Sequence, residues 1–147
     1  MRRLAAIIGC LLLGTSGGCA PYHSSSKSIA EKKTREKEAR AAALTWLALV
    51  DAADYPAAYA LEPERLRKAA TQEQFVRSME GRRAPFGRVL SRSFIGAAYT
   101  KKLTGAPDGH YESILFRTSF ANKSLAAERV ILSHDAGQWR VVDYRLY

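Results

Sequence analysis

His110-Tyr-Glu-Ser-Ile-Leu-Phe-Arg-Thr-Ser-Phe-Ala121, then Asn122-Lys123, then Ser124-Leu-Ala-Ala-Glu-Arg-Val-Ile-Leu-Ser-His134 is the stretch from which the fold is read. Two runs rich in β-branched and aromatic residues flank a dipeptide that tolerates turn dihedrals, which is the mark of a β-hairpin. The pattern repeats on either side. Gly105-Ala-Pro-Asp-Gly109 separates the first run from an earlier one, Arg88 to Thr104, and Asp135-Ala-Gly137 leads into a last one, Gln138 to Leu146. Gly87 to Tyr147 therefore predicts four strands in an antiparallel meander.

With two-residue turns the register follows, because side chains alternate faces along a strand. One face then collects Val89, Ile95, Tyr99, Leu103, Ile114, Phe116, Phe120, Leu125, Ile131, Val142, Tyr144 and Leu146, and is expected to be the side that helices bury. The other carries Leu90, Phe94, Tyr111, Leu115, Val130, Leu132, Trp139 and Val141. It also sets Arg117, Glu128 and Arg145 side by side on three neighbouring strands, with the carboxylate between the two arginines.

Upstream, Ile29 to about Asp51 reads as one long helix. Interleaved charges from Glu31 to Arg40 mark its solvated side, and Ala39, Ala43, Trp46, Leu47 and Val50 recur at helical spacing as the stripe that lies on the sheet. Asp54-Tyr-Pro56 has the form of a helix start with Asp54 as N-cap, running to about Leu61. Glu62-Pro63 interrupts, a short helix covers Glu64 to Ala70, and Thr71-Gln-Glu-Gln74 is a capping box that opens a helix carrying Phe75, Val76 and Met79. The fold class expected is α+β, with N-terminal helices packed on a four-stranded antiparallel meander sheet, to which the resemblance given below adds a curved, cone-like shape.

The chain has 147 residues, 47% of them hydrophobic and 25% charged, enough for one domain with a core of its own. Its formal charge is +9, and +7 without residues 1–18, whose only charges are Arg2 and Arg3. A basic balance favours anionic partners. Nucleic acid is excluded as the reading, because the basic residues are spread along the chain and no base-reading motif appears among them.

Met1-Arg-Arg3, the apolar run Leu4 to Leu13 and the small residues Gly14 to Cys19 form a secretory signal. The apolar run is shorter than the ~20 residues that span a bilayer. Gly17-Gly-Cys19 resembles the cleavage box of bacterial lipoproteins, which makes Cys19 the lipid-attachment site and membrane lipid a partner; Ser16 departs from the usual leucine. The organisation expected is a signal peptide at 1–18, a Ser-rich tether at 19–28 and a single domain at 29–147. An Ala after the cysteine implies, by resemblance, the outer membrane facing the periplasm.

Trp46-Leu47, Asp51, Asp54-Tyr55, Arg83-Ala-Pro with Gly87, Ser91-Arg92, Gly105 to Gly109 with Tyr111, Thr118-Ser-Phe120, Asn122-Lys123, Glu128 and Trp139-Arg-Val141 with Tyr144 resemble the small bacterial envelope proteins grouped as domain of unknown function 4019. The resemblance covers about Ala42 to Tyr147, and Phe75 and Asp143 depart from it. It implies location and fold and no activity. The order of elements is also similar to the cone-shaped fold of nuclear transport factor two and its relatives, in which a pocket forms between a long helix and the sheet.

Three kinds of site are weighed. His110 and His134, with Asp108 and Asp135 nearby, fall on opposite faces, and neither metal-ligand spacing nor a nucleophile motif supports catalysis, so the expectation is a non-enzymatic protein with no metal and no cofactor. A ligand pocket on the core face would use Arg129, Tyr144, Tyr99, Glu112 and Trp46. There the Arg129 guanidinium pairs with an anionic ligand or with Asp51 or Asp54, because an unpaired buried charge is costly. An interface on the other face would use Trp139, Val141, Leu132, Val130 and Leu115 to bind an envelope partner or a second copy, oriented by the Arg117, Glu128 and Arg145 cluster. The interface is the first reading, and a binder of a small anionic or amphiphilic ligand is the alternative.

Overall fold

The structure, a computed structural model, describes residues 22–147, with side chains from Ser26 onward. The expected signal peptide and Cys19 lie outside the described residues. Helix α1 spans Tyr22–Asp51, so the segment read as a tether is helical from Tyr22 on. No proline or glycine occurs between Tyr22 and Asp51, and nothing in the sequence interrupts the helical hydrogen-bond ladder there. Thirty residues make a rod of about 45 Å. Its first turns, Ser26 to Thr34, are exposed. From there Ala39, Ala43, Trp46, Leu47 and Val50 are buried, as the spacing predicts.

Ala53, with φ 57°, ends α1, and Asp54 then caps α2 (Tyr55–Ala60) by accepting from the Ala57 amide at 3.1 Å. Helix α3 covers Glu64–Ala69 and α4 covers Gln72–Arg82. The Thr71 capping box is complete, Gln74 Oε1 accepting from the Thr71 amide at 2.8 Å and Thr71 Oγ1 accepting from the Gln74 amide at 3.3 Å. A short 3-10 turn, Ala84–Phe86, leads to the sheet.

Strands β1 (Val89–Thr100), β2 (Tyr111–Phe120), β3 (Lys123–Asp135) and β4 (Gln138–Leu146) form an open antiparallel sheet in the order β1-β2-β3-β4. The α+β class and the meander are as expected. The faces are not, and the cause is local. Phe120 pairs with Lys123, so the second turn is Ala121-Asn122 and not Asn122-Lys123. Asn122 is pinned there: its amide donates to the Phe86 carbonyl at 3.0 Å and its side-chain amide to the Pro85 carbonyl at 3.0 Å. Gly87 makes room for it; a Cβ at that position would sit 3.1 Å from the Asn122 side chain, at a φ of 77°.

Sliding β3 by one residue turns its side chains over. Phe116 faces Glu128 rather than Arg129, and Val130 and Leu132 are buried against the helices. The third turn is a two-residue hairpin as expected, with Ala136 at φ 49° and Gly137 at φ 80°, so Trp139 and Val141 follow β3 inward. A register shift at Val142 then keeps Tyr144 inside as well. Shifts at Leu90 and Ile95 do the same for β1, bringing Arg92 and Phe94 to the helix side and leaving Ile95 50% exposed. Leu125, also expected in the core, is 65% exposed. The outward placement of Val130, Leu132, Trp139 and Val141, the outward placement of Glu128 and the inward placement of Arg129 are therefore corrected by the structure.

Candidate functional site

The C-terminal part of α1 crosses the sheet over a buried group of polar side chains. Glu128, on β3, is 0% exposed. Arg92, on β1, reaches it with Nε at 2.6 Å from Oε2 and Nη2 at 3.1 Å from Oε1. The same guanidinium donates to Asp51 at the end of α1, at 2.7 and 3.1 Å. Asp51 also accepts from Arg83 at 3.0 Å. Thr118 donates to Glu128 Oε2, and the Tyr144 hydroxyl donates to Oε1 at 2.6 Å. Two carboxylates and two guanidinium groups therefore cancel in charge, each bonded on more than one side. Such pairing is what makes buried charge tolerable.

The electrostatics hold Arg92 and Tyr144 each in one protonation state. Burial opposes Arg92's charge, but its hydrogen bonds to Asp51 and Glu128 outweigh that and hold its pKa above the ordinary value. Burial, followed by the Glu128 charge, pushes the Tyr144 phenol far above its usual range, so it stays a donor at any physiological pH. Trp46 packs on Tyr144 with ring centroids 5.3 Å apart and gives its indole N–H to the Ala58 carbonyl at 3.1 Å. Of the expected pocket residues, Trp46 and Tyr144 line only a small hollow of about 110 Å³, with Glu62, Phe75, Met79 and Arg82 among its walls. The arginine that Asp51 was expected to neutralise exists, but it is Arg92 with Arg83 rather than Arg129.

The remaining pocket residues separate. Glu112 and Tyr99 lie under the first half of α1, where Arg35 Nε pairs with Glu112 at 2.8 Å and the guanidinium sits 4.0 Å above the Tyr99 ring. The Tyr99 hydroxyl and His110 Nδ1 are 2.6 Å apart. His110 and His134, expected on opposite faces, both line one hollow of about 200 Å³ with Arg35, Glu38 and Trp139. No group of three or more metal-ligating side chains occurs among the described residues.

Arg129 stands on the outer face, donating to Ser113 Oγ at 2.8 Å, in register between Leu115 and Arg145. Among the described residues no helix covers this face. Gly96, Ala98, Ser113, Leu115, Arg129 and Tyr147 enclose a groove of about 450 Å³ there. Leu115 is thus the one expected interface residue that stays outside. Arg117, paired in register with Ala127, is exposed, and Arg145 pairs with Asp143 at 2.7 Å, so neither flanks Glu128. The expected three-residue ion cluster does not form.

Sequence reading passed over Arg92, Arg83, Thr118 and Asp51 as one constellation. A signal was present all the same, since each is among the residues on which the family resemblance rests, spaced too far apart in sequence to suggest contact. No curated protein and no solved structure matches the chain. The family model described as "Protein of unknown function (DUF4019)" matches residues 42–144, which include every member of the buried cluster. The chain belongs to that family.

Proposed function

We propose that the protein is a non-enzymatic binding module of the bacterial envelope, lipid-anchored through Cys19 and facing the periplasm, whose working surface is the outer face of the sheet. The observation that carries this reading is the groove over Gly96, Ala98, Ser113 and Leu115, walled by Arg129 and Tyr147 and left uncovered by any helix of the described residues. Its apolar floor would take a hydrophobic side chain and Arg129 an acidic group. Arg117 adds positive charge on the same face and would steer an acidic partner. The engagement of Asp51 and Glu128 with Arg83, Arg92 and Tyr144 supports the non-enzymatic reading. We also propose kinship with the cone-shaped fold of nuclear transport factor two, on the strength of the long helix lying across the sheet.

The first occupant we propose is an acidic, partly apolar segment of an envelope protein. A small amphiphilic anion is the second, favoured by a groove volume that falls within the range of about 300 to 1,000 Å³ typical of small-molecule sites. Native mass spectrometry of the full chain, extracted gently from its own membrane, separates them. A bound mass of protein size supports the first, and a bound mass of a few hundred daltons lost on denaturation the second. Arg129→Glu should release either one. Retention of the bound species by that variant would refute the assignment of the surface.

A further inference from the structure

Beyond the outer groove, a further hollow of about 350 Å³ lies between α3, the β3–β4 turn and β4, lined by Pro63, Glu64, Arg65, Arg67, Asp135, Ala136 and Arg140. Arg65 and Arg67 of α3 and Arg140 of β4 bring three guanidinium groups to its walls. None of the three takes part in an ion pair among the described residues, although other arginines do. Arg140 is held in position by donating to the Leu61 carbonyl at 3.4 Å and to Gln138 Oε1 at 3.1 Å. Arg65 has a buried Nη2 with no acceptor.

The acidic groups of the neighbourhood are engaged elsewhere. Glu64 pairs with Lys68 at 2.7 Å, and Asp135 accepts from Ser133 Oγ at 2.6 Å. Glu62 feels the charge of Arg67 but forms no ion pair with it, and burial pushes its carboxyl up to about 7. With Asp135 as the only uncompensated carboxylate in its lining, the hollow carries a formal surplus of two positive charges. Planar guanidinium forks match tetrahedral and planar oxyanions better than any other side chain.

We propose that this hollow is a binding site for a dianionic phosphate ester of head-group size. Arg67 and Arg140 supply the forked contacts, and a small rotation of Arg65 gives its orphaned N–H an acceptor. The site shares no residue with the outer groove and does not depend on the function proposed for it.

The test is a titration of the full chain in detergent, following the amide NMR signals of Ala136 and Gly137. The probes are glycerol 3-phosphate and dihexanoyl phosphatidic acid, with glycerol as the neutral control. Saturable shifts with the phosphate probes and none with glycerol are expected, and Arg67→Gln and Arg140→Gln should each weaken binding about tenfold with an unchanged melting temperature. Tighter binding of the phosphatidic acid assigns the site to lipid head groups, and binding no tighter than that of glycerol 3-phosphate assigns it to soluble phosphate esters. No saturable shift with either probe up to about 10 mM, or shifts that persist in both variants, would overturn the proposal.

Discussion

Replacing Arg92 by methionine removes the group that joins Asp51 to Glu128 and leaves a similar apolar volume. Glu128 is wholly buried and would keep only the hydroxyls of Thr118 and Tyr144 as donors. Asp51 is less exposed to the loss, since it retains Arg83 and its side chain is 24% accessible. Removing one partner of a buried ion pair costs about 3 to 5 kcal/mol, and the two surviving hydroxyl donors place this case near the lower end, about 3 kcal/mol. Glu128→Gln in the same background takes away the stranded charge while keeping the shape. The double variant should therefore be more stable than Arg92→Met alone by about 1 kcal/mol or more. Urea unfolding of wild type, both single variants and the double variant gives the coupling energy directly. A cost below about 1 kcal/mol for Arg92→Met, or single effects that add within about 0.5 kcal/mol, would refute the claim that the cluster acts as one unit.

Three further predictions test neighbouring parts of the argument. Leu132→Asp should cost about 3 kcal/mol or more in urea unfolding because Leu132 is fully buried, whereas Leu115→Asp on the outer face should cost about 1 kcal/mol or less; the reverse order would mean that the faces are wrongly assigned. Tyr144→Phe removes a 2.6 Å hydrogen bond to a buried carboxylate and should cost about 1.5 to 3 kcal/mol, measured in the same way, and a neutral result would argue against that bond. Glu62 has its carboxyl raised from 4.5 to about 7, so the folded state holds its proton more tightly than the unfolded state. Its contribution is therefore present in full below about pH 4.5 and is lost as the pH rises to 7. Glu62→Gln should flatten that slope, gaining about 1 kcal/mol over wild type at pH 8, after allowance for solvent screening, and almost nothing at pH 5. Thermal melts at both pH values decide it, and an equal effect at the two would contradict the shift.

Local signals in the sequence were accurate wherever a residue's own chemistry sets its conformation. The Thr71 capping box, the Asp54 cap, the apolar stripe from Ala39 to Val50 and the hairpin at Ala136-Gly137 all follow from short-range hydrogen bonding and steric preference. What failed was the propagation of register through the second turn. Asn122 is held by the carbonyls of Phe86 and Pro85, a contact that spans more than thirty residues of chain and that strand periodicity does not contain. One residue of slip there carried Glu128, Val130 and Leu132 to the opposite face, and Trp139 and Val141 with them. The interruptions at Leu90, Ile95 and Val142 are likewise invisible to a period of two.

The buried cluster illustrates the same limit from the chemical side. Burying Arg129 was a reasonable inference from its apolar neighbours, and the requirement that a buried arginine find Asp51 was correct physics applied to the wrong residue. Arg92 sits between Ser91 and Ser93, so alternation alone gave no reason to turn it inward. Only the paired carboxylates on α1 and β3 explain its position. The outer groove, in turn, depends on Arg129 and Leu115 becoming neighbours in register, which required the corrected turn.

The central claim is that the outer sheet face, rather than the space between α1 and the sheet, does the binding. A photo-crosslinking residue placed at Ala98 in the groove, compared in living cells with one at the exposed Ala48 on α1, tests it most directly. The account predicts a discrete adduct from position 98 that disappears with Arg129→Glu, and none from position 48. An adduct from position 48 with none from position 98 would contradict it.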